Sequence, residues 1–142
     1  MKPRELTATE CIALLSTSRY GRLGLSCKGQ PHVIPMSYAY SNEKVYLHSR
    51  GKGEKLKIAK YNPKVCFEVD LLEKNHWSSV IAYGMVSIST EIEAKYKMFD
   101  AFVLKSMEGH GCRQFKREEL GNLNMIVWEL RIKSMTGREG IW

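Results

Sequence analysis

Apolar and polar positions alternate over residues 20–26, with Leu23 and Leu25 on one face, and a period of two predicts a β-strand there. Lys28-Gly-Gln-Pro31 predicts a turn into a second strand over residues 32–40. Pro35 has no N–H to give to a ladder, so this strand is expected beside an opening or a bulge. Ser41-Asn42-Glu43 turns the chain into a third strand over 44–49, and further strands are predicted over 65–69, 79–89 and 123–132. Within 79–89, Gly84 marks a bulge or a close backbone approach. Residues 71–77 and 108–122 read as irregular, and 133–142 as a tail.

A period near 3.6 replaces the alternation in three places. Thr7-Ala-Thr-Glu10 has the capping-box pattern and precedes Cys11, Ile12, Leu14 and Leu15, which predicts a short helix ending by Thr17. A second helix begins near Glu54 and is stopped by Asn62-Pro63. A third spans 91–107, with Ile92, Tyr96, Phe99, Val103 and Met107 as its expected core stripe. Six strands in hairpin-like succession with two or three helices predict a mainly β, α+β fold: one domain over residues 1–142, built as a small antiparallel barrel with attached helices.

Composition narrows the function classes. A hydrophobic content of 44% with 26% charged residues fits a soluble globular chain, and no apolar run reaches bilayer length. The first residues, Met1-Lys-Pro-Arg-Glu5, do not form a signal peptide. Cys11, Cys27, Cys66 and Cys112 are scattered without a Cys-x-x-Cys pair, so reduced thiols and a cytoplasmic location are expected, with no zinc site. His110 and Cys112 alone are too few to hold a metal. The net charge is +7, yet no nucleic-acid-binding motif accompanies it, and neither nucleic acid nor membrane is an expected partner.

That charge is concentrated. Between Arg50 and Lys64, six cations (Arg50, Lys52, Lys55, Lys57, Lys60 and Lys64) face the single carboxylate Glu54. The run opens with the glycine-rich Arg50-Gly-Lys-Gly-Glu-Lys55, and on the following helix Lys55 falls on the same arc as Leu56, Ile58 and Ala59. An inward lysine beside glycine backbone suits a fixed anion such as a phosphate, and a lysine that snorkels from the core edge is the plainer alternative.

Five ordered blocks extend this reading: Gly29-Gln-Pro-His-Val-Ile-Pro-Met-Ser-Tyr38, Val45-Tyr-Leu-His-Ser-Arg-Gly-Lys-Gly-Glu-Lys55, Asn62-Pro-Lys-Val-Cys-Phe67, Ser79-Val-Ile-Ala-Tyr-Gly84 and Met135-Thr-Gly-Arg138. Through them the chain resembles the FMN-binding split barrels related to pyridoxamine 5′-phosphate oxidase, most closely the branch associated with 5-nitroimidazole resistance. The resemblance implies a six-stranded antiparallel split β-barrel and a homodimer with each flavin in a groove between subunits. It places the backbone around Ile34, Met36 and Ser37 beside the isoalloxazine ring of FMN, and Ser79 and Val80 against that ring from the next strand. His32, His48, Ser49 and Lys55 are expected near the ribityl phosphate, with Gly53 letting the loop come close. Trp77 and Trp142 are expected in the core or at a dimer contact, with stacking on flavin or substrate as the other role.

The implied function is transfer of electrons from a reduced nicotinamide to a small oxidised substrate such as a nitroaromatic, with the redox chemistry belonging to the cofactor. The chain departs from the nitroimidazole branch at Glu54, where many relatives carry histidine, and it lacks recognisable pyridoxamine phosphate substrate residues. A deazaflavin or haem on the same barrel, or a flavin-binding module without turnover, are the alternatives that such a fold admits.

Overall fold

The computed structural model describes residues 2–109 and 116–142. The capping box forms as expected: Thr7 Oγ1 accepts from the Glu10 N–H at 3.2 Å, while Glu10 Oε1 accepts from the Thr7 N–H at 2.9 Å. It opens helix α1 (Ala8–Thr17), which follows a short strand β1 (Arg4–Glu5). Strands β2 (Tyr20–Cys27) and β3 (Gln30–Ser37) form a hairpin through Lys28 and Gly29, both at positive φ. Strand β4 (Ala39–Ser41) turns through Asn42 and Glu43 into β5 (Lys44–Ser49), and helix α2 (Glu54–Tyr61) follows. Strands β6 (Lys64–Glu73) and β7 (His76–Ser89), helix α3 (Ile92–Met107), a 3-10 turn (Arg117–Asn122) and β8 (Ile126–Ile141) complete the order.

The described strands therefore number eight, two of them short, where six were expected. All pairings are antiparallel, in the order β3-β2-β6-β7-β8-β5-β4, with β1 beside β8. The two ends of this path, β3 and β4, are consecutive in the chain but share no ladder, so the sheet does not close. What looked like one strand over residues 32–40 is broken at Tyr38, where the chain crosses from one end of the sheet to the other. Pro35 lies in β3, which pairs only with β2, as expected for a strand bordering an opening.

Tyr38 seals this gap. It is fully buried, its hydroxyl donates to the Leu15 carbonyl of α1, and its ring meets Phe67 edge-on at 4.8 Å. From the other side, Lys105 of α3 donates to the Tyr38 carbonyl at 2.7 Å and holds its ammonium 3.9 Å from the ring centroid. A main core of Leu15, Leu23, Leu47, Phe67, Val80, Trp128 and neighbours fills the inside of the curved sheet. A smaller cluster, including Tyr46, Met98, Ala101, Phe102 and Val127, fixes α3 to the other face of β5 and β8.

Three further expectations are corrected. Residues 71–77 are the tip of a long β6–β7 hairpin, with Leu72 opposite Trp77 and Lys74 at φ 54° in the turn, although their polarity conceals the pairing. The supposed tail from residue 133 continues β8 along β7 to Ile141, with Trp142 77% exposed at its end and therefore outside the core. Helix α3 is only partly turned as expected: Phe99 is buried and Ile92, Tyr96 and Val103 half-buried, but Lys95, Met98, Phe102 and Lys105 also turn inward, while Met107 is 79% exposed. His110 and Cys112 lie outside the described residues. None of the described helices is long and apolar enough to cross a membrane.

Gly84 sits where the register with β8 shifts, and a Cβ there would lie 2.0 Å from the Arg131 carbonyl oxygen. Gly84→Ala is expected to destabilise the fold by about 2 kcal/mol or more, read from the urea midpoint. Burial pushes the Lys105 ammonium down from 10.5 to about 8. The unfolded chain therefore binds more protons than the folded one between those values, and this residue's contribution to stability rises with pH across that window. Tyr38, whose burial raises its phenol, acts oppositely only above its ordinary value of 10.0. Between pH 7.5 and 9.5 the wild type should gain about 2 kcal/mol relative to Lys105→Met; parallel unfolding curves for the two would refute the assignment.

Candidate cofactor site

The β5–α2 loop builds a cationic hollow at the edge of the sheet. His48 and Ser49 end β5 on opposite faces: His48 pairs with Val127 and packs its ring 5.9 Å from Phe102, while Ser49 turns toward the core. The Ser49 hydroxyl accepts from the Trp128 indole N–H at 2.8 Å and donates to the Arg50 carbonyl at 3.1 Å. Its proton is thus directed to the loop backbone, and its main effect is to fix where the loop departs.

The loop then runs exposed through Arg50, Gly51, Lys52 and Gly53, and Gly53 has a φ of 131° that only glycine adopts without strain. Leu56, Ile58 and Ala59 anchor α2 in the core, which leaves Lys55 half-buried on the inward arc as expected. A cavity of about 430 Å³ results, lined by His48, Ser49, Arg50, Lys52, Lys55, Asn124 and Met125. Asn124 is held there from below: Lys95, buried on α3, donates to the carbonyls of Leu123 at 2.9 Å and Leu120 at 3.4 Å.

Arg4 pairs with Glu10 and Glu139, Arg22 with Glu68 and Asp70, Lys44 with Glu129, and Arg117 with Asp100. None of the ion pairs among the described residues involves Arg50, Lys52 or Lys55, and no carboxylate lines the cavity. Glu54 is exposed on the first turn of α2 and is not a lining residue, a position where a carboxylate favours the helix dipole. Three cations converging without a counter-charge suit a phosphate, and the donor set fits the phosphate end of a flavin nucleotide.

Of the residues expected at the site, His48, Ser49 and Lys55 come together here, with Gly53 in the adjoining loop. Ile34 and Met36 turn their side chains toward the core, and their backbone runs along the strand that has β2 on one side only. Ser37 ends that strand. His32 lines a different, larger groove of about 620 Å³ on the sheet, with Ser26, Lys64, Cys66, Tyr83 and Lys133. Ser79 is half-buried opposite Asp70 and Arg138, and Val80 is fully buried in the core. Strand β7 is separated from β3 by β2 and β6, so these two are not on the next strand and do not reach the loop cavity within one protomer. Trp77 and Trp142 approach each other at 6.2 Å between ring centroids at the far end of the hairpin arm. Arg50 and Lys52 join the lining beyond the expected residues, as does Asn124, which carries no motif and depends on a fold contact through Lys95.

A profile of the family described as pyridoxamine 5′-phosphate oxidase matches residues 7–139. The chain belongs to this family. Among solved structures, a FAD-binding protein from Mesorhizobium loti is similar to it at 29% identity, with a TM-score of 0.78 and coverage of 99% of both chains. A protein from Bacteroides thetaiotaomicron, named as a candidate 5-nitroimidazole antibiotic resistance protein, shares the fold at 21% identity, with a TM-score of 0.82 and coverage of 97% of this chain and 87% of that one. An uncharacterised protein of Rhizobium meliloti is 28% identical over 82 residues, which span 57% of this chain and 54% of that relative's length. The split-barrel architecture is thereby established, with a sheet that stays open between β3 and β4.

Ser49 makes a further test of this local design. Ser49→Ala would leave the buried Trp128 N–H without its acceptor and is expected to destabilise the fold by about 1–3 kcal/mol in urea unfolding.

Proposed function

We propose that this family member binds a flavin with its ribityl phosphate in the loop cavity and passes electrons from a reduced nicotinamide to a small oxidised substrate, nitroaromatics among them. The observation that carries the reading is the convergence of Lys55, Arg50 and Lys52 beside His48 in a cavity with no carboxylate. FMN contains every group that the expected residues address: the phosphate toward Lys55 and His48, and the ring toward the free edge of β3 around Ile34, Met36 and Ser37. The flavin binding named for the Mesorhizobium loti relative supports the same class of cofactor.

When bound, the flavin supplies the redox chemistry, and the protein's part is binding and electrostatics. Lys55 and its neighbours neutralise the phosphate, and main-chain donors at the edge of β3 face the ring. No acid, base or nucleophile from the chain is assigned.

The proposal includes a homodimer, in which a second copy would complete the flavin site. The outer face of the sheet suits a second copy: it carries the 620 Å³ groove together with Val33, 71% exposed, and Tyr83, 43% exposed. Ser79 on this face is assigned to the flavin contact across the interface, Val80 through its main chain alone, and His32 through its place in the groove.

Titration of the purified protein with FMN, followed by absorbance and tryptophan quenching with the mass measured in the same sample, should saturate near one flavin per subunit of a dimer. Lys55→Ala should weaken binding by about 1–3 kcal/mol. Unchanged affinity in that variant would remove the loop from the cofactor site, and turnover of a reduced nicotinamide with a nitro compound tests the electron transfer.

A further inference from the structure

The groove of about 620 Å³ on the outer face of the sheet has a floor of glycine and sulfur. Gly24 of β2 lies opposite Cys66 of β6, and a Cβ at residue 24 would stand 2.7 Å from the Cys66 Sγ, so the depression depends on the missing side chain. Pairing and alternation turn Val33 of β3 and Tyr83 and Met85 of β7 to the same face as Cys66, where all three line the groove. The volume falls in the range of small-molecule sites, roughly 300–1,000 Å³.

Two cations flank this floor. Lys64 precedes Cys66 by two positions on β6 and shares its face. Lys133 arrives by a different route: Tyr83 pairs with Ser134 but Gly84 with Ile132, so Lys133 is the extra residue of a bulge in β8. Ile132 packs against the core, Ser134 lines the groove, and the bulge leaves Lys133 on the groove side as well. Gly84 permits that arrangement, since a Cβ there would lie 2.0 Å from the Arg131 carbonyl oxygen. The lining holds no carboxylate, and no ion pair among the described residues involves either lysine. In the next row along this face the charges already engage one another, with Arg22 at 2.6 Å from Glu68 and 3.3 Å from Asp70.

A cover over the groove makes the two lysines informative. The second copy set on this face in the proposed homodimer would draw both ammonium groups out of water, and a desolvated cation is costly without a counter-charge. The lining supplies none, and a ligand anion would complete it. The walls define the rest of such a ligand: Val33, Tyr83 and Met85 offer two apolar surfaces and an aromatic one to a flat ring. We propose that the groove binds an aromatic carboxylate, its ring against Val33, Tyr83 and Met85 and its carboxylate toward Lys64 and Lys133. Resting on the flavin reading, the oxidised substrate then belongs to this class, an aromatic acid in place of a neutral nitro compound.

Para-nitrobenzoate and its neutral amide, para-nitrobenzamide, are titrated calorimetrically into the full chain with and without FMN. The acid should bind saturably, at least about tenfold tighter than the amide. Lys133→Met should lower the affinity for the acid about tenfold and leave the amide and FMN unchanged, while Lys133→Arg should retain the acid. Lys133 is exposed, so these exchanges spare the core. Equal affinities for acid and amide, an unchanged acid affinity in Lys133→Met, or no binding of either compound overturn the groove assignment. So does loss of acid binding in Lys55→Ala, which would put the anion in the loop cavity. Acid binding to a chain that takes up no flavin keeps the groove and removes the substrate role. That result is distinct from FMN binding without acid binding, which keeps the flavin reading and removes the groove.

Discussion

An antiparallel sheet that curls toward closure but stops short leaves two edges facing each other, and the chain has to carry itself across that gap without a ladder. Tyr38 does so by replacing ladder hydrogen bonds with side-chain anchorage from both sides. Its hydroxyl is fixed to the carbonyl of Leu15 on α1, and its own carbonyl to the ammonium of Lys105 on α3. Each partner is buried, so each bond lies in a medium where leaving it unmade is expensive. The free edge of β3 and the loop after β5 keep their relative position because the crossing at Tyr38 is fixed.

Helix α3 fixes the site at two points with the same chemistry. Lys105 holds the crossing, and Lys95, about three turns earlier on the inward face, holds the carbonyls of Leu120 and Leu123 just before Asn124. Both lysines satisfy main-chain oxygens and not carboxylates, so they position backbone without neutralising it. The positive charge of the loop is thus not diminished by an acidic scaffold behind it. Arg4, Arg22 and Arg117 are tied to glutamates and aspartates, whereas Arg50, Lys52 and Lys55 line the loop cavity with no carboxylate among its described lining residues.

Local signals in the sequence were read accurately where a short-range cause determined the structure. The capping box at Thr7 and Glu10, the stop at Asn62-Pro63, the bulge at Gly84 and the inward Lys55 each follow from spacing or backbone chemistry within a few residues. What escaped depends on partners far along the chain. The pairing of Leu72 with Trp77 and the extension of β8 to Ile141 are enforced by neighbouring strands and not by their own polar, glycine-containing sequences. The face of α3 is only partly legible, at Phe99, because two inward positions are lysines, which hydropathy assigns to solvent; their carbonyl partners appear only in the fold. The site was legible to the same degree: Lys55, His48 and Ser49 sit in one quoted block, whereas Asn124 lies about seventy residues away with no pattern to mark it.

The energetic weight within the loop falls on its side chains. Helix α2 has eight residues and a glycine N-cap with no side-chain hydrogen bond, so its dipole is short, exposed and screened by salt at this end. Glu54 in its first turn already takes part of whatever field the free N–H groups offer. A phosphate drawn there gains mainly from the three cations, and their positions are set by Ser49 and Trp128 at the loop's start and by the Leu56, Ile58 and Ala59 anchor at its end. The loop between these fixed points is free of bulk because of Gly51 and Gly53, so the space in front of the charge stays open. Binding an anion at such a site requires little ordering of the chain, since the ordering is already built into the core contacts on either side.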